Sequence, residues 1–228
     1  MADSLERQLM ELKLALISMA SEVEKHLNEI LEVFSSRNLA LAQWSLSAGE
    51  IDIQKVNLNR KCYFLLSCYQ PLVRDLRFIV ATIHISHILS HIENEIMDIA
   101  KQAALLTTKP IFPSYPNDLL IMGRTVNKMI KKVIDAFVNE DVELALEAQE
   151  QNKKIDDLHG KVIRTLLDFI ILQGTPAIEQ KTYLILIAHS LRQIGSLGTA
   201  IAEQILSFVE GSIWEASQEI TERRGNPR

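Results

Sequence analysis

Residues 78–106 read FIVATIHISHILSHIENEIMDIAKQAALL, and residues 180–208 read QKTYLILIAHSLRQIGSLGTAIAEQILSF. Laid over one another at an offset of 102, Ile85, Leu89, Ile92, Ile96, Ile99, Ala103 and Leu106 fall on Ile187, Leu191, Ile194, Gly198, Ile201, Ile205 and Phe208. Apolar steps of three and four residues are the helical period. Helical sequences resemble one another by chance, so the flanking segments decide whether the match has meaning. Upstream, Ile51, Leu58, Cys62, Leu65 and Cys68 fall on Ile155, Val162, Leu166, Phe169 and Leu172 at an offset of 104. Further upstream, Leu27, Ile30, Leu31 and Phe34 fall on Ile130, Val133, Ile134 and Phe137 at 103, and the cap candidates Asn38 and Asp141 share that offset. Three matched helices in the same order mean an internal duplication.

The fold expected is therefore all-α, a tandem repeat of two antiparallel three-helix bundles built from six long helices. Leu5, Leu9, Leu12, Leu16, Met19, Val23, Leu27, Ile30 and Phe34 give the first helix one apolar stripe. Gln70-Pro71 breaks the second helix from the third, because proline lacks a backbone donor and its ring clashes with the preceding turn. Pro110, Pro113 and Pro116 mark the linker between the copies. The first repeat is placed at 3–109, the second at 117–211, and a polar tail at 212–228. Turns of a few residues force neighbouring helices to be antiparallel. The third helix of each copy is apolar around most of its circumference, so it is expected deepest, where the two units touch. Gly195 and Gly198 are expected to let another backbone come close there.

Composition supports long helices. Glycine and proline total 14 of 228 residues and aromatics are 6%, too few for a sandwich, a barrel or a Gly-rich nucleotide fold. The net charge is −5, divided almost evenly between the halves with no basic patch, so nucleic acid is not an expected partner. Cys62 and Cys68 sit six apart in a helical pattern, which fits two buried thiols in a reducing compartment rather than a disulfide framework. The start, Met-Ala-Asp-Ser-Leu-Glu-Arg, has charge where a signal peptide needs an apolar run. The apolar stretch 182–202 carries Arg192 near its middle, a poor fit to a membrane span. A cytoplasmic protein, peripheral to the membrane at most, is expected.

Gly49-Glu50-Ile51-Asp52 and the run from Cys62 through Gln70-Pro71-Leu72-Val73-Arg74-Asp75-Leu76-Arg77-Phe78-Ile79 resemble the first repeat of the PhoU family, regulators of bacterial phosphate uptake. Ile155-Asp156-Asp157-Leu158 and Ile194-Gly195 are similar to the second repeat. The resemblance implies a doubled three-helix bundle and a non-enzymatic adaptor. Such an adaptor connects the ATPase of a phosphate ABC transporter with a sensor histidine kinase and holds the starvation response off. Family members also commonly carry E/D-x-x-x-D metal motifs in the third helix of each repeat. The matching positions here are Ser90 and Asn94, then Arg192 and Ser196, so all four carboxylates are missing and Arg192 places a cation among the ligand positions.

Three of the six histidines, His84, His87 and His91, fall within eight residues, and Glu95 and Asp98 continue the series. At helical pitch the five side chains lie within about an 80° arc, bordered by Asn94. Imidazole and carboxylate suit zinc, iron, nickel or manganese. The stripe is a candidate metal site displaced from the family position, to be closed by Asp52, Asp156, Asp157 or a partner subunit. A hydrated polar face is the competing reading, and His87 has a repeat partner in His189. Three imidazoles on one face also raise a pH-sensing role. Asp156 and His159 form a D-x-x-H, one feature of dimetal bundles, but the doubled E-x-x-H of those proteins is absent.

Arg74, Asp75 and Arg77 open the third helix and are the candidate partner-binding residues. Helix-start chemistry competes with that role, because an acidic side chain is favoured at the positive end of a helix. Trp44 and Trp214 read as packing residues. No nucleophile–base spacing and no phosphate-cradling turn stands out, so the function expected is regulation by docking. The alternatives are a metal-binding helical bundle that uses the histidine stripe, or a diverged relative with another partner. Exposed apolar surface on either third helix would favour a homodimer.

Overall fold

The computed structural model describes residues 2–36, 49–107 and 116–211. Six helices account for them: α1 (Ala2–Ser36), α2 (Glu50–Tyr69), α3 (Val73–Thr107), α4 (Asn117–Asn139), α5 (Val142–Gln173) and α6 (Thr175–Glu210). Among the described residues there is no strand. The all-α, two-repeat expectation holds. The cap placed at Asn38 and both tryptophans lie outside the described residues, as do Pro110, Pro113 and the tail from 212.

The helix ends follow local chemistry. Gln70 takes the left-handed conformation, φ 45°, immediately before Pro71, so α2 stops there and α3 starts at Val73. Glu140 is also left-handed, φ 55°, and Asp141 then caps α5, its carboxylate accepting from the Leu144 amide at 2.9 Å. That bond satisfies one of the amides a helix start leaves unpaired. Gly174, φ 70°, closes α5 by donating its amide to the Ile170 carbonyl at 2.9 Å. Pro176 then sits in the first turn of α6, where its missing N–H costs nothing.

Each repeat packs its first and second helices against its third, and the two repeats meet through α3 against α6 and α1 against α4. The α3–α6 seam is antiparallel. Phe78 at the start of α3 meets Phe208 at the end of α6, ring centroids 5.5 Å apart, and Ile85 and Leu89 share a small cavity with Ile201. Continuing that register brings Ile92 and Ile194, repeat equivalents and both fully buried, to the middle of the seam. The third helices are thus the deepest elements, as their apolar circumference requires. Their buried hydroxyls are satisfied: Thr82 donates to the Phe78 carbonyl at 2.9 Å and Ser86 to that of Ile83 at 2.8 Å. Each fully buried Leu or Ile in this core contributes about 1.5–3 kcal/mol.

The two glycines of α6 behave differently from expectation. A Cβ on Gly195 would meet Asn152 Oδ1 at 2.8 Å and Ile155 Cδ1 at 3.0 Å, and one on Gly198 would meet Met129 Cε at 3.1 Å. Both face α5 and α4 of their own repeat, not the seam between repeats. Gly195 stands about 100° round the helix from Ile194 and faces α5, whereas Gly198 lies only about 40° from Ile194, at the flank of the seam where α4 approaches. Residues Ile178–Glu210 of α6 are long and apolar enough to cross a membrane, yet half of the most apolar window is buried inside the bundle, where it serves as core.

Candidate functional site

The outward side of each third helix borders the second helix of its own repeat, and polar residues collect along that line. In the first repeat, Lys55 Nζ lies 2.6 Å from Asp52 Oδ1 and 2.9 Å from Ser90 Oγ, and Ser90 donates to the same carboxylate oxygen at 2.7 Å. One turn away, Asn59 Nδ2 is 3.0 Å from His87 Nε2, while Asn59 Oδ1 lies 3.3 Å from the Ser86 hydroxyl, whose one proton it shares with the nearer Ile83 carbonyl. An amide nitrogen only donates, so His87 Nε2 is the acceptor of this pair. The Lys55 and Ser90 hydrogen bonds hold the Asp52 carboxyl below its ordinary range.

The second repeat carries the equivalent line with its charges exchanged. Arg192 Nε donates to Asp156 Oδ1 at 2.7 Å, and the His159 and His189 rings lie 6.3 Å apart. Burial, then the nearby Arg192 cation and His189, push the His159 imidazole below its ordinary range, against the pull of Asp156. Asp52, Lys55, His87 and Ser90 of the first repeat are the counterparts of Asp156, His159, His189 and Arg192 of the second. Each line keeps one aspartate, one shared histidine and one strong cation. The cation comes from the second helix in one copy and from the third helix in the other.

His84, His87, His91, Asn94 and Asp98 are exposed on one face of α3, with Glu95 half-buried at its border. They share the face that their spacing implies. His87 meets Asn59, the charge of His91 acts on Asp52, and Asp98 accepts from Lys101 at 2.7 Å. Among the described residues no group of three or more His, Cys, Asp and Glu side chains is placed to hold a metal ion. The family's metal-motif positions do not fit a metal either: Ser90 and Arg192 are both spent as donors to aspartates.

Arg74, Asp75 and Arg77 lie where α3 begins. Arg74 reaches across to Glu140 Oε2 at 2.6 Å, in the α4–α5 turn of the other repeat, and Lys13 of α1 approaches the same carboxylate at 3.7 Å. The Arg77 guanidinium lies against Gly211, so closely that a Cβ there would overlap it. A cation at the negative end of α6 is favourably placed. A cavity of about 430 Å³ opens beside these residues, its floor made by Leu9, Phe78 and Phe208 and its rim by Lys13, Arg74 and Glu140. Leu72 at 81% and Val73 at 70% exposure precede Arg74 in the chain, and Leu76 and Val80 line a second, smaller cavity with Arg77 and Phe208. The equivalent turn of the second repeat exposes Ile171, Leu172 and Ile178 in the same way.

Sequence reading missed two polar contacts. Lys55 follows Asp52 by three residues, a spacing that signals a same-face pair on a helix. His26 of α1 packs on Glu93 of α3, with Nδ1 2.9 Å from Oε1 and 3.0 Å from Oε2. Nothing local announces that second pair, because the partners are 67 residues apart.

The PhoU domain model matches the chain twice, over residues 16–103 and 119–205. The chain is similar to the "Phosphate-specific transport system accessory protein PhoU homolog" of Caulobacter vibrioides, 28% identical over 200 residues that cover 87% of this chain and 86% of that one. Its fold is similar to the crystal structure of PhoU from Pseudomonas aeruginosa, with a TM-score of 0.86, 26% identity, and 91% and 99% of the two chains covered. The crystal structure of the phosphate transport system regulatory protein PhoU from Streptococcus pneumoniae shares the same fold at a TM-score of 0.84 and 18% identity, over 92% and 98%. With the family model matched through both repeats of one helical bundle, this chain belongs to the PhoU family.

Proposed function

We propose that this protein is an accessory regulator of a phosphate transport system, acting in the cytoplasm by docking rather than by catalysis. Its partners are the transporter ATPase and a sensor histidine kinase, and its output restrains the phosphate-starvation response. The observation that carries this reading is the family match through both repeats, joined to the exposed apolar turns each repeat presents. Leu72 and Val73 at the start of α3, and Ile171 and Leu172 at the end of α5, are among the most exposed large apolar side chains described. Such side chains cost solvation unless a partner covers them. The polar contact Arg74–Glu140 beside the first turn supplies orientation, as charges at an interface rim do.

The test is complementation in the source organism. Deleting the gene should raise expression of a phosphate-starvation reporter in phosphate-rich medium, and the wild-type chain should restore repression. A Leu72→Asp/Val73→Asp variant that stays folded should restore it poorly. Full repression by that variant would contradict the docking role of the α2–α3 turn.

A further inference from the structure

Residues 62–73, twelve in all, carry no charged side chain and cross the turn from α2 to α3. The large apolar side chains exposed there are Tyr63, Phe64, Leu72 and Val73, and Leu76 and Val80 follow on α3. The Phe64 and Tyr69 rings meet edge to face, 6.4 Å between centroids. Cations stand on both sides of the run, Arg60 and Lys61 before it, Arg74 and Arg77 after it. Asp75 is the one acidic residue between 60 and 77. Lys61 approaches Glu11 and Arg74 pairs with Glu140, yet the two basic side chains stay 49% and 72% exposed. The α5–α6 turn lacks this basic collar, although it exposes Ile171, Leu172 and Ile178. By repeat offset, Lys61, Arg74 and Arg77 fall on Thr165, Pro176 and Glu179. Lys181, the first cation after that turn in the chain, is buried with its amine over the Phe169 ring.

We propose that the α2–α3 turn docks on an anionic lipid bilayer, its apolar side chains entering the interface and its basic flanks meeting the headgroups. Charge complementarity selects this occupant. Basic residues beside an apolar segment are drawn to anionic lipid, aromatic rings settle at headgroup level, and buried apolar area adds to the attraction. The chain as a whole carries −5, which turns the rest of its surface away from such a membrane. The antiparallel α3–α6 seam points the two apolar turns in opposite directions, so one bilayer meets one turn, and the collar makes it the first. The inference deepens the docking reading, because a regulator of a membrane transporter works beside lipid. Vesicles contain no transporter, so failure to bind lipid and failure to capture the ATPase are separate results.

The experiment is flotation of the purified full chain with phosphatidylglycerol/phosphatidylcholine vesicles, beside vesicles of phosphatidylcholine alone. Wild type should partition to the anionic vesicles about tenfold or more better than to the neutral ones, and added salt should weaken the binding. Leu72→Asp/Val73→Asp should lose about tenfold or more, whereas Ile171→Asp/Leu172→Asp should bind as wild type does. Arg60→Gln/Lys61→Gln should also bind several-fold more weakly, which keeps the test available if the first variant fails to melt cooperatively. An environment-sensitive dye on Cys68, the exposed thiol in the last turn of α2, should shift to the blue on vesicle binding. No flotation, or equal binding to both vesicle types, would overturn the proposal. So would flotation without a dye shift, and so would equal loss in the Ile171/Leu172 variant, which would mean that the first turn is not the membrane-facing one.

Discussion

At the scale of single residues, burial separates side chains that the sequence presents as alike. Cys62 and Cys68 look equivalent in the helical pattern and both are expected buried; Cys62 is fully buried, but Cys68, six residues and about 600° on, turns away from the core and is exposed. Burial pushes the Cys62 thiol up to about 12, so it carries almost no thiolate at neutral pH and is inert. A disulfide-exchange reagent at pH 8 should therefore titrate one thiol per native chain, Cys68, with the second reacting only after denaturation. Two fast thiols would contradict this placement. Glu93 offers a pH prediction. Burial raises its carboxyl against the opposing pull of His26, with Glu22 and Asp52 adding repulsion. A group harder to ionise in the folded state than in the unfolded one destabilises the fold while ionised, and that penalty disappears as pH falls through its folded value. Relative to wild type, Glu93→Gln should be more favourable at pH 7 than at pH 4.5 when the two Tm values are compared. A difference that does not change with pH would remove the argument. The histidine stripe shows what was legible at this scale. Spacing alone placed His84, His87, His91, Asn94 and Asp98 on one exposed face. It could not reveal that His87 would meet Asn59, or that Lys55 would stand on Asp52, because those contacts depend on how α2 lies along α3.

At the scale of elements, caps and breaks read directly from residue types. Gln70-Pro71 ends α2, and Asp141 caps α5, both for reasons contained within a few residues. Asp141→Ala should cost about 1 kcal/mol, a Tm loss of about 2–4 °C in a chain of this length; no loss would mean that the Leu144 amide finds another acceptor. Gly195 and Gly198 were legible as points of close approach but not as to which helix approaches. That depends on where α4 and α5 lie against α6, which is invisible to a periodicity that runs almost all the way round the helix. The two sites should respond differently to alanine. At Gly198 the new methyl meets only side-chain ends, Met129 Cε at 3.1 Å and Ile130 Cδ1 at 3.2 Å, which can give by a few tenths of an ångström, and the helix-propensity gain of about 1 kcal/mol offsets the crowding. At Gly195 it meets both Asn152 and Ile155, and overpacking of about 1–3 kcal/mol is expected. Calorimetry of the two variants should rank Gly195→Ala below Gly198→Ala, and the reverse order would place the α5–α6 contact elsewhere.

At the scale of the whole molecule, the duplication becomes an antiparallel pair of three-helix units. A helix as long as α3, 35 residues, spans about 52 Å, so the apolar turns at Leu72–Val73 and Ile171–Leu172 sit toward opposite ends of the α3–α6 seam. The repeat offsets made this architecture readable before any coordinates, since three helices in register constrain one another. The docking surface was only partly readable: Arg74 was marked by its motif, whereas its partner Glu140 belongs to a turn of the other repeat. No built site for an oxyanion was evident in the sequence, and phosphate status on this reading arrives through the transporter. Millimolar inorganic phosphate should accordingly leave the Tm of the purified chain unchanged, and a saturable rise would mean direct binding. The central claim is that the protein works by docking on a phosphate transporter. Affinity capture of the tagged chain from its source organism, with quantitative mass spectrometry, tests it most directly: the transporter ATPase should be enriched by wild type and depleted by Leu72→Asp/Val73→Asp. Recovery of the ATPase at background level with the folded wild-type chain would contradict the account.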